Sequence, residues 1–195
     1  MKRGEFHSMY SASDLKKNLK IQIDGEPYVV VDFEFSKPGK GQALYRCKLK
    51  NMVTGSQFER TFRSVDSFEP ANLQERAMQY LYQEENKYCF MDNETYEQVY
   101  LTTEQVGDAV NFMIDNIDVE ILFFGEQPLG ITLPNFVDLT VSKADPWVKG
   151  DTAAGNSKPI VVETGYQLQA PPFIEEGEKI RIDTRTGDYV TRVKE

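Results

Sequence analysis

Few residues in this sequence have types and spacings suited to covalent chemistry. The one histidine, His7, lies at the N-terminal edge, where chains are least ordered, so a Ser–His–Asp relay lacks its base. Cys47 and Cys89 are the two cysteines. They are too few for a disulfide framework or a zinc site. Asp92-Asn93-Glu94 opens like a calcium loop, but Glu97 replaces the glycine required at position six and Thr103 the glutamate required at twelve. These residues single out no catalytic residue and no metal, and a hydrolase using paired carboxylates of the acidic middle part stays open. What remains is a cation, Lys40, in Ser36-Lys37-Pro38-Gly39-Lys40-Gly41-Gln42. A phosphate-loop reading fails, because Glu34 stands where the first glycine belongs and Gly41 where a Ser or Thr must follow the lysine. Pro38 fixes φ, and Gly39 and Gly41 permit a tight turn, so Lys40 is expected to project with Lys37 beside it.

Two strands must hold that loop. Asp24-Gly25 turns the chain into a strand over 28–35, whose Val29, Val31, Phe33 and Phe35 are predicted to share one face. After the loop, Ala43, Tyr45, Cys47 and Leu49 alternate with Arg46, Lys48 and Lys50, so the thiol faces a core and the three cations face outward. No acidic residue falls between Phe35 and Phe58. The whole chain has a net charge of −9, yet residues 1–70, 71–135 and 136–195 carry +3, −10 and −2. A local positive field can steer a polyanion to one face whatever the total, so Arg46, Lys48 and Lys50 are candidate RNA contacts. The plain alternative is a solvated strand face.

Further strands are expected over 58–62, 88–91, 119–124, 136–142, 160–163, 167–170, 180–183 and 189–193, with hairpin turns at 52–55, 125–127 and 186–188. Thr102 and Gln105 form a capping box, and Val106, Val110, Met113 and Ile114 recur at helical spacing behind it. This is an all-β pattern of three small β-barrel domains, a closed barrel over 9–70 and OB-type barrels over 71–135 and 136–195. Trp147 is a candidate stacking platform or the cover of a barrel end. No apolar run reaches the ~20 residues of a membrane span, and the N-terminus has no secretory signal. A cytoplasmic protein is expected, with the first eight residues dispensable and Met9 a start.

Several motifs then resemble one family in the correct order. Glu34-Phe35-Ser36-Lys37-Pro38-Gly39-Lys40-Gly41-Gln42-Ala43 with Arg46-Cys47-Lys48-Leu49-Lys50-Asn51 is similar to the first domain of bacterial elongation factor P. Phe90 to Gln98 is similar to the second domain of that family. Gly150-Asp151-Thr152-Ala153, Lys158-Pro159, Thr164-Gly165 to Pro171, and Asp183 to Val190 are similar to the third. Ser36 stands where the family usually has Val, and Ile160 and Ala170 where it usually has Ala and Val.

The resemblance implies a KOW or SH3-like barrel followed by two OB-folds, in a tRNA-like elongated shape. It implies a translation elongation factor that binds the ribosome beside peptidyl-tRNA and promotes peptide-bond formation at polyproline stretches. Lys40 would be the modified lysine, extended by a lysine-modifying enzyme, for example by β-lysylation, with no other cofactor. Gly150, Asp151 and Thr152 would form a third-domain loop near the exit-site codon and, with Arg46, Lys48 and Lys50, would contact RNA. The chain would act as a monomer and would not be an enzyme on its own, because the ribosome owns the reaction. A cytosolic OB-fold protein that binds single-stranded RNA is the competing reading, and it predicts stacking aromatics on an exposed sheet and a groove of spread positive charge.

Overall fold

A computed structural model describes residues 9–39, 41–146 and 157–194. The first sheet contains β1 (Tyr10–Ser11), β2 (Lys20–Ile23), β3 (Glu26–Ser36), β4 (Leu44–Asn51), β5 (Gln57–Arg63) and β6 (Ser67–Pro70), in the spatial order β1-β6-β2-β3-β4-β5. The second contains β7 (Leu73–Glu84), β8 (Lys87–Asp92), β9 (Gln98–Thr102), β10 (Asp118–Phe124) and β11 (Gln127–Thr132), in the order β11-β10-β7-β8-β9. The third contains β12 (Phe136–Ala144), β13 (Lys158–Val162), β14 (Gln167–Ala170), β15 (Lys179–Asp183) and β16 (Asp188–Arg192), in the order β14-β13-β12-β15-β16. By compactness the chain divides into two units, one running through Gln74 with Phe123–Leu129, the other comprising Glu75–Leu122 and the chain from Gly130 onward.

Strand β4 follows its alternation. Tyr45, Cys47 and Leu49 are buried and Arg46, Lys48 and Lys50 exposed. Strand β3 departs from it. The register on β4 shifts between Val30 and Asp32, a β-bulge that inserts one residue and flips the faces on either side. Val30, rather than Val29 or Val31, is thus the fully buried valine, and Phe33 rejoins the core side beyond the bulge. Phe35 runs past the end of the core and is 54% exposed.

In the second sheet the capping box forms as read. Thr102 Oγ1 accepts from Gln105 N–H, and Gln105 Oε1 accepts from Thr102 N–H. The expected long helix does not follow. Helix α1 (Thr103–Val106) ends at Gly107, whose φ of +54° and ψ of −138° leave the helical region, and a 3₁₀ segment over Gly107–Phe112 carries the apolar residues onward. Strand β7 has no clear signature, because Gln74-Glu75-Arg76-Ala77-Met78 reads as helix-forming until sheet pairing overrides it.

The third core is built on Leu139, Val141, Ile160, Ile174, Ile180 and Ile182. Ile160 and Ala170 are both buried on the adjacent strands β13 and β14. Inside the second unit, the Phe112 ring packs edge-on against Tyr166 at 4.8 Å, and Thr164 Oγ1 donates to the Asn111 carbonyl at 2.6 Å.

One hairpin turn is built three times, once per sheet. It begins at Asn51, Asp92 and Asp183. The side-chain oxygen of each accepts from the backbone N–H two residues on, that is Val53, Glu94 and Arg185. Three residues on stands a threonine (Thr54, Thr95 or Thr186), whose hydroxyl accepts from the N–H of Ser56, Glu97 or Asp188. The fifth residue has positive φ and donates back to the first carbonyl: Gly55 at +74°, Tyr96 at +61° and Gly187 at +77°.

Candidate functional site

Between β3 and β4 the chain makes an exposed loop, entered at the pair Ser36–Leu44. Gly41 N–H donates to the Pro38 carbonyl at 2.8 Å, closing a four-residue turn. A β-carbon added at Gly41 would stand 3.1 Å from Pro38 Cγ, whereas one at Gly39 would meet nothing within 4 Å. A side chain at Gly41 would therefore push the proline ring aside by a few tenths of an ångström, and Gly39 is not required by space. Lys37, Pro38, Gly39 and Gly41 are all exposed, and Lys40 lies outside the described residues.

The stem under this loop is aromatic. Tyr45 lies between Phe33, whose ring is stacked at 6.5 Å, and Phe35, tilted at 5.2 Å. Such cross-strand aromatic contacts stiffen a hairpin by roughly 0.5–1.5 kcal/mol each beyond area burial. The sequence pattern placed Phe35 on one face with Val29, Val31 and Phe33. It does share the Phe33 side of the strand, but it lies beyond the end of the core, at the exposed root of the loop.

Arg46, Lys48 and Lys50 do share one exposed face, but the register changes their electrostatics. Across from Arg46 stands Glu34, with the two charges 4.0 Å apart and both side chains mostly exposed. Lys48 is paired with Asp32 on one side and Glu59 on the other. Lys50 stands between Val29 and Gln57. A run without acids in sequence becomes a largely compensated face in the sheet, with Lys50 the cation lacking a carboxylate directly opposite. Exposed pairs of this kind contribute about 0–1 kcal/mol each, so they cancel the field without fixing the strand.

Cys47 is fully buried, and burial pushes its thiol above the usual range, which suits a packed rather than a reactive sulfur. Asp92 is committed to its turn, where the N–H groups of Thr95 and Glu94 hold its carboxyl below the ordinary value. Among the described residues, no group of three or more His, Cys, Asp or Glu is placed to hold a metal ion. No described helix is long and apolar enough to cross a membrane.

Trp147, Gly150, Asp151 and Thr152 lie outside the described residues. Near them in sequence the fold holds a buried lysine that sequence reasoning missed. Lys158 is 7% exposed, and its Nζ donates to the Asp145 carbonyl at 3.1 Å, tying together the two ends of that segment. Its only sequence signal is the Lys158-Pro159 pair in the family-like run.

Comparison with known proteins agrees with these three sheets one by one. Residues 11–68 match the elongation factor P KOW-like domain, 73–131 the elongation factor P OB domain, and 137–192 the elongation factor P C-terminal domain. The chain is 70% identical to elongation factor P of Syntrophus aciditrophicus, over 95% of this chain and all of that one. It is 62% identical to elongation factor P of Desulfotalea psychrophila, over 96% of this chain and all of that one. Among solved structures, Eukaryotic translation initiation factor 5A from Methanococcus jannaschii superposes with a TM-score of 0.56 at 25% identity, covering 65% of this chain and 92% of that one.

Proposed function

The chain belongs to the elongation factor P family, a family of translation factors, and from that premise we propose that it binds the ribosome beside peptidyl-tRNA and speeds peptide-bond formation at consecutive prolines. Proline is a secondary amine with a locked φ, so it attacks poorly and draws the nascent chain out of line. A long cation laid along the end of peptidyl-tRNA would hold the ester in attack geometry. Positioning of this kind contributes several kcal/mol out of the ~7–11 available in ideal cases. The ribosome performs the transfer, and this protein moves no proton.

The observation that carries the reading is the β3–β4 loop. It is exposed on both flanks of Lys40, closed by the Pro38–Gly41 bond and stiffened by the Phe33–Tyr45–Phe35 stem. Lys40 carries the activity, lengthened by a covalent group such as β-lysyl that a separate enzyme attaches. Lys50 supplies a phosphate contact, with Arg46 and Lys48 weaker because Glu34, Asp32 and Glu59 compensate them. Gly150, Asp151 and Thr152 meet base edges or 2′-hydroxyls, because an aspartate must accept from such groups and is repelled by phosphate. The working form is a cytoplasmic monomer with domains over 9–70, 71–135 and 136–195. The charges of −10 over 71–135 and −2 over 136–195 disfavour the spread positive groove that a general single-stranded RNA binder requires on its OB-folds. The test is a cell lacking its own factor, supplied with this chain. Translation of a reporter with three consecutive prolines should recover, and the peptide containing Lys40 should carry added mass. Recovery without any dependence on the proline run would contradict the reading.

A further inference from the structure

The three hairpin turns share one architecture and differ in one feature. Two place glycine at the fifth, left-handed position, and the third places Tyr96 there at φ +61°. A side chain at that backbone angle is unfavourable, and glycine is the residue that avoids the cost. Tyr96 is nonetheless 72% exposed. Tyr96 thus keeps a large ring on the surface at a backbone angle that its two counterparts give to glycine.

The strands of that hairpin, with β7 beside them, carry a second signal. Tyr82, Cys89 and Tyr100 are paired across β7, β8 and β9, so they form one row on one face. Cys89 is fully buried, while Tyr82 and Tyr100 remain 43% and 42% exposed, with their hydroxyls 3.3 Å apart. This is the face of β7, β8 and β9 away from the core, and the second and third strands of an OB domain, here β8 and β9, commonly offer their face to ligands. The charge decides which ligand. Residues 71–135 hold 12 acidic and 2 basic side chains, and Glu94 and Glu97 flank Tyr96. A polyanion would approach against a charge of −10, whereas arginine and lysine side chains gain both that field and the faces of exposed tyrosines.

We propose that the β8–β9 hairpin, with Tyr96 at its turn and Tyr100 beside Tyr82 of the neighbouring β7, docks a lysine- and arginine-rich polypeptide. The proposal is independent of the loop reading above. A fluorescent 12-residue peptide of alternating arginine and glycine, titrated with the full chain, tests it. Tyr96→Gly should weaken binding at least threefold and melt no lower than the parent. Tyr82→Ala with Tyr100→Ala should weaken it further, and Tyr82→Phe with Tyr100→Phe should retain it, because the ring faces remain. Lys40→Ala should bind as the parent does, so failure of the loop reading leaves this result untouched. Absent binding, equal binding by every variant, or tighter binding of a 12-nucleotide oligouridine that needs the same tyrosines would overturn the proposal. So would an early melt of Tyr96→Gly, which would make the tyrosine structural.

Discussion

Strand β4 ends in two loops built on opposite terms. At its C-terminal end, Asn51 is 3% exposed and wholly engaged. Its Oδ1 accepts from Val53 and Thr54 N–H at 2.8 and 2.9 Å, and its Nδ2 donates to Glu26 Oε2 at 2.6 Å. Its carbonyl accepts from Gly55 N–H, and its own N–H donates to the Ser56 carbonyl. At the N-terminal end the β3–β4 loop is closed by the Gly41–Pro38 bond, and Lys37, Pro38 and Gln42 are exposed. Where a loop directs its polar groups inward, its residue types are explained by folding. Where it leaves them outward on a stiff stem, they are explained by something the chain touches.

The largest effect on the folding side comes from Asn51→Ala. Losing three side-chain bonds at a buried position should cost about 2–4 kcal/mol. Thermal unfolding should show a drop on the order of 10 °C, while rescue at low temperature persists. A neutral Asn51→Ala would erase the contrast between the two ends. Gly41→Ala should act the other way. Its β-carbon presses on Pro38 and shifts the loop, so proline-dependent rescue falls severalfold for less than about 1 kcal/mol of stability, and Gly39→Ala matches the parent. Equal rescue by both alanine variants would mean the loop's exact path is unimportant.

The β4 face sharpens the comparison next. Lys50→Gln should reduce the log–log salt slope of ribosome binding by about 0.7–0.9, the value for one phosphate contact, and Lys48→Gln by less. The reverse order would show that Asp32 and Glu59 do not screen Lys48 as the register implies. The smallest effect concerns the third copy of the turn. The Arg185 side chain, and then its N–H, hold the Asp183 carboxyl down to about 2 from its ordinary 3.8. A depressed folded value stabilises above the unfolded value and is lost as pH falls through the folded one. Acid unfolding between about pH 4 and 2 should therefore be less steep in Asp183→Asn than in the parent. Identical acid limbs would leave Asp183 without a part in that turn's stability.

Much of this was legible, for physical reasons that differ by element. Strand β4 obeyed a period of two because one of its faces is core, and the capping box held because it is local. The loop motif was legible from proline and glycine alone. The β3 faces were not, because one inserted residue at the bulge inverts every assignment on one side of it. The long helix was lost at Gly107, where a positive φ outweighed apolar spacing. Compensation of Arg46 and Lys48 was invisible, since a stretch free of acids says nothing about which strands will flank it. Lys158 was hidden for the same reason, its partner being a carbonyl 13 residues away.

The central claim is that the loop between β3 and β4 exists to present Lys40 and contributes nothing to folding. One variant, Lys40→Ala, read by thermal unfolding and by paired reporters with and without three consecutive prolines, tests it most directly. The account predicts a melting curve within about 0.5 kcal/mol of the parent, unchanged translation of the proline-free reporter and loss of rescue on the proline run. Full rescue by Lys40→Ala, or loss of rescue that merely follows an early melt, would contradict it.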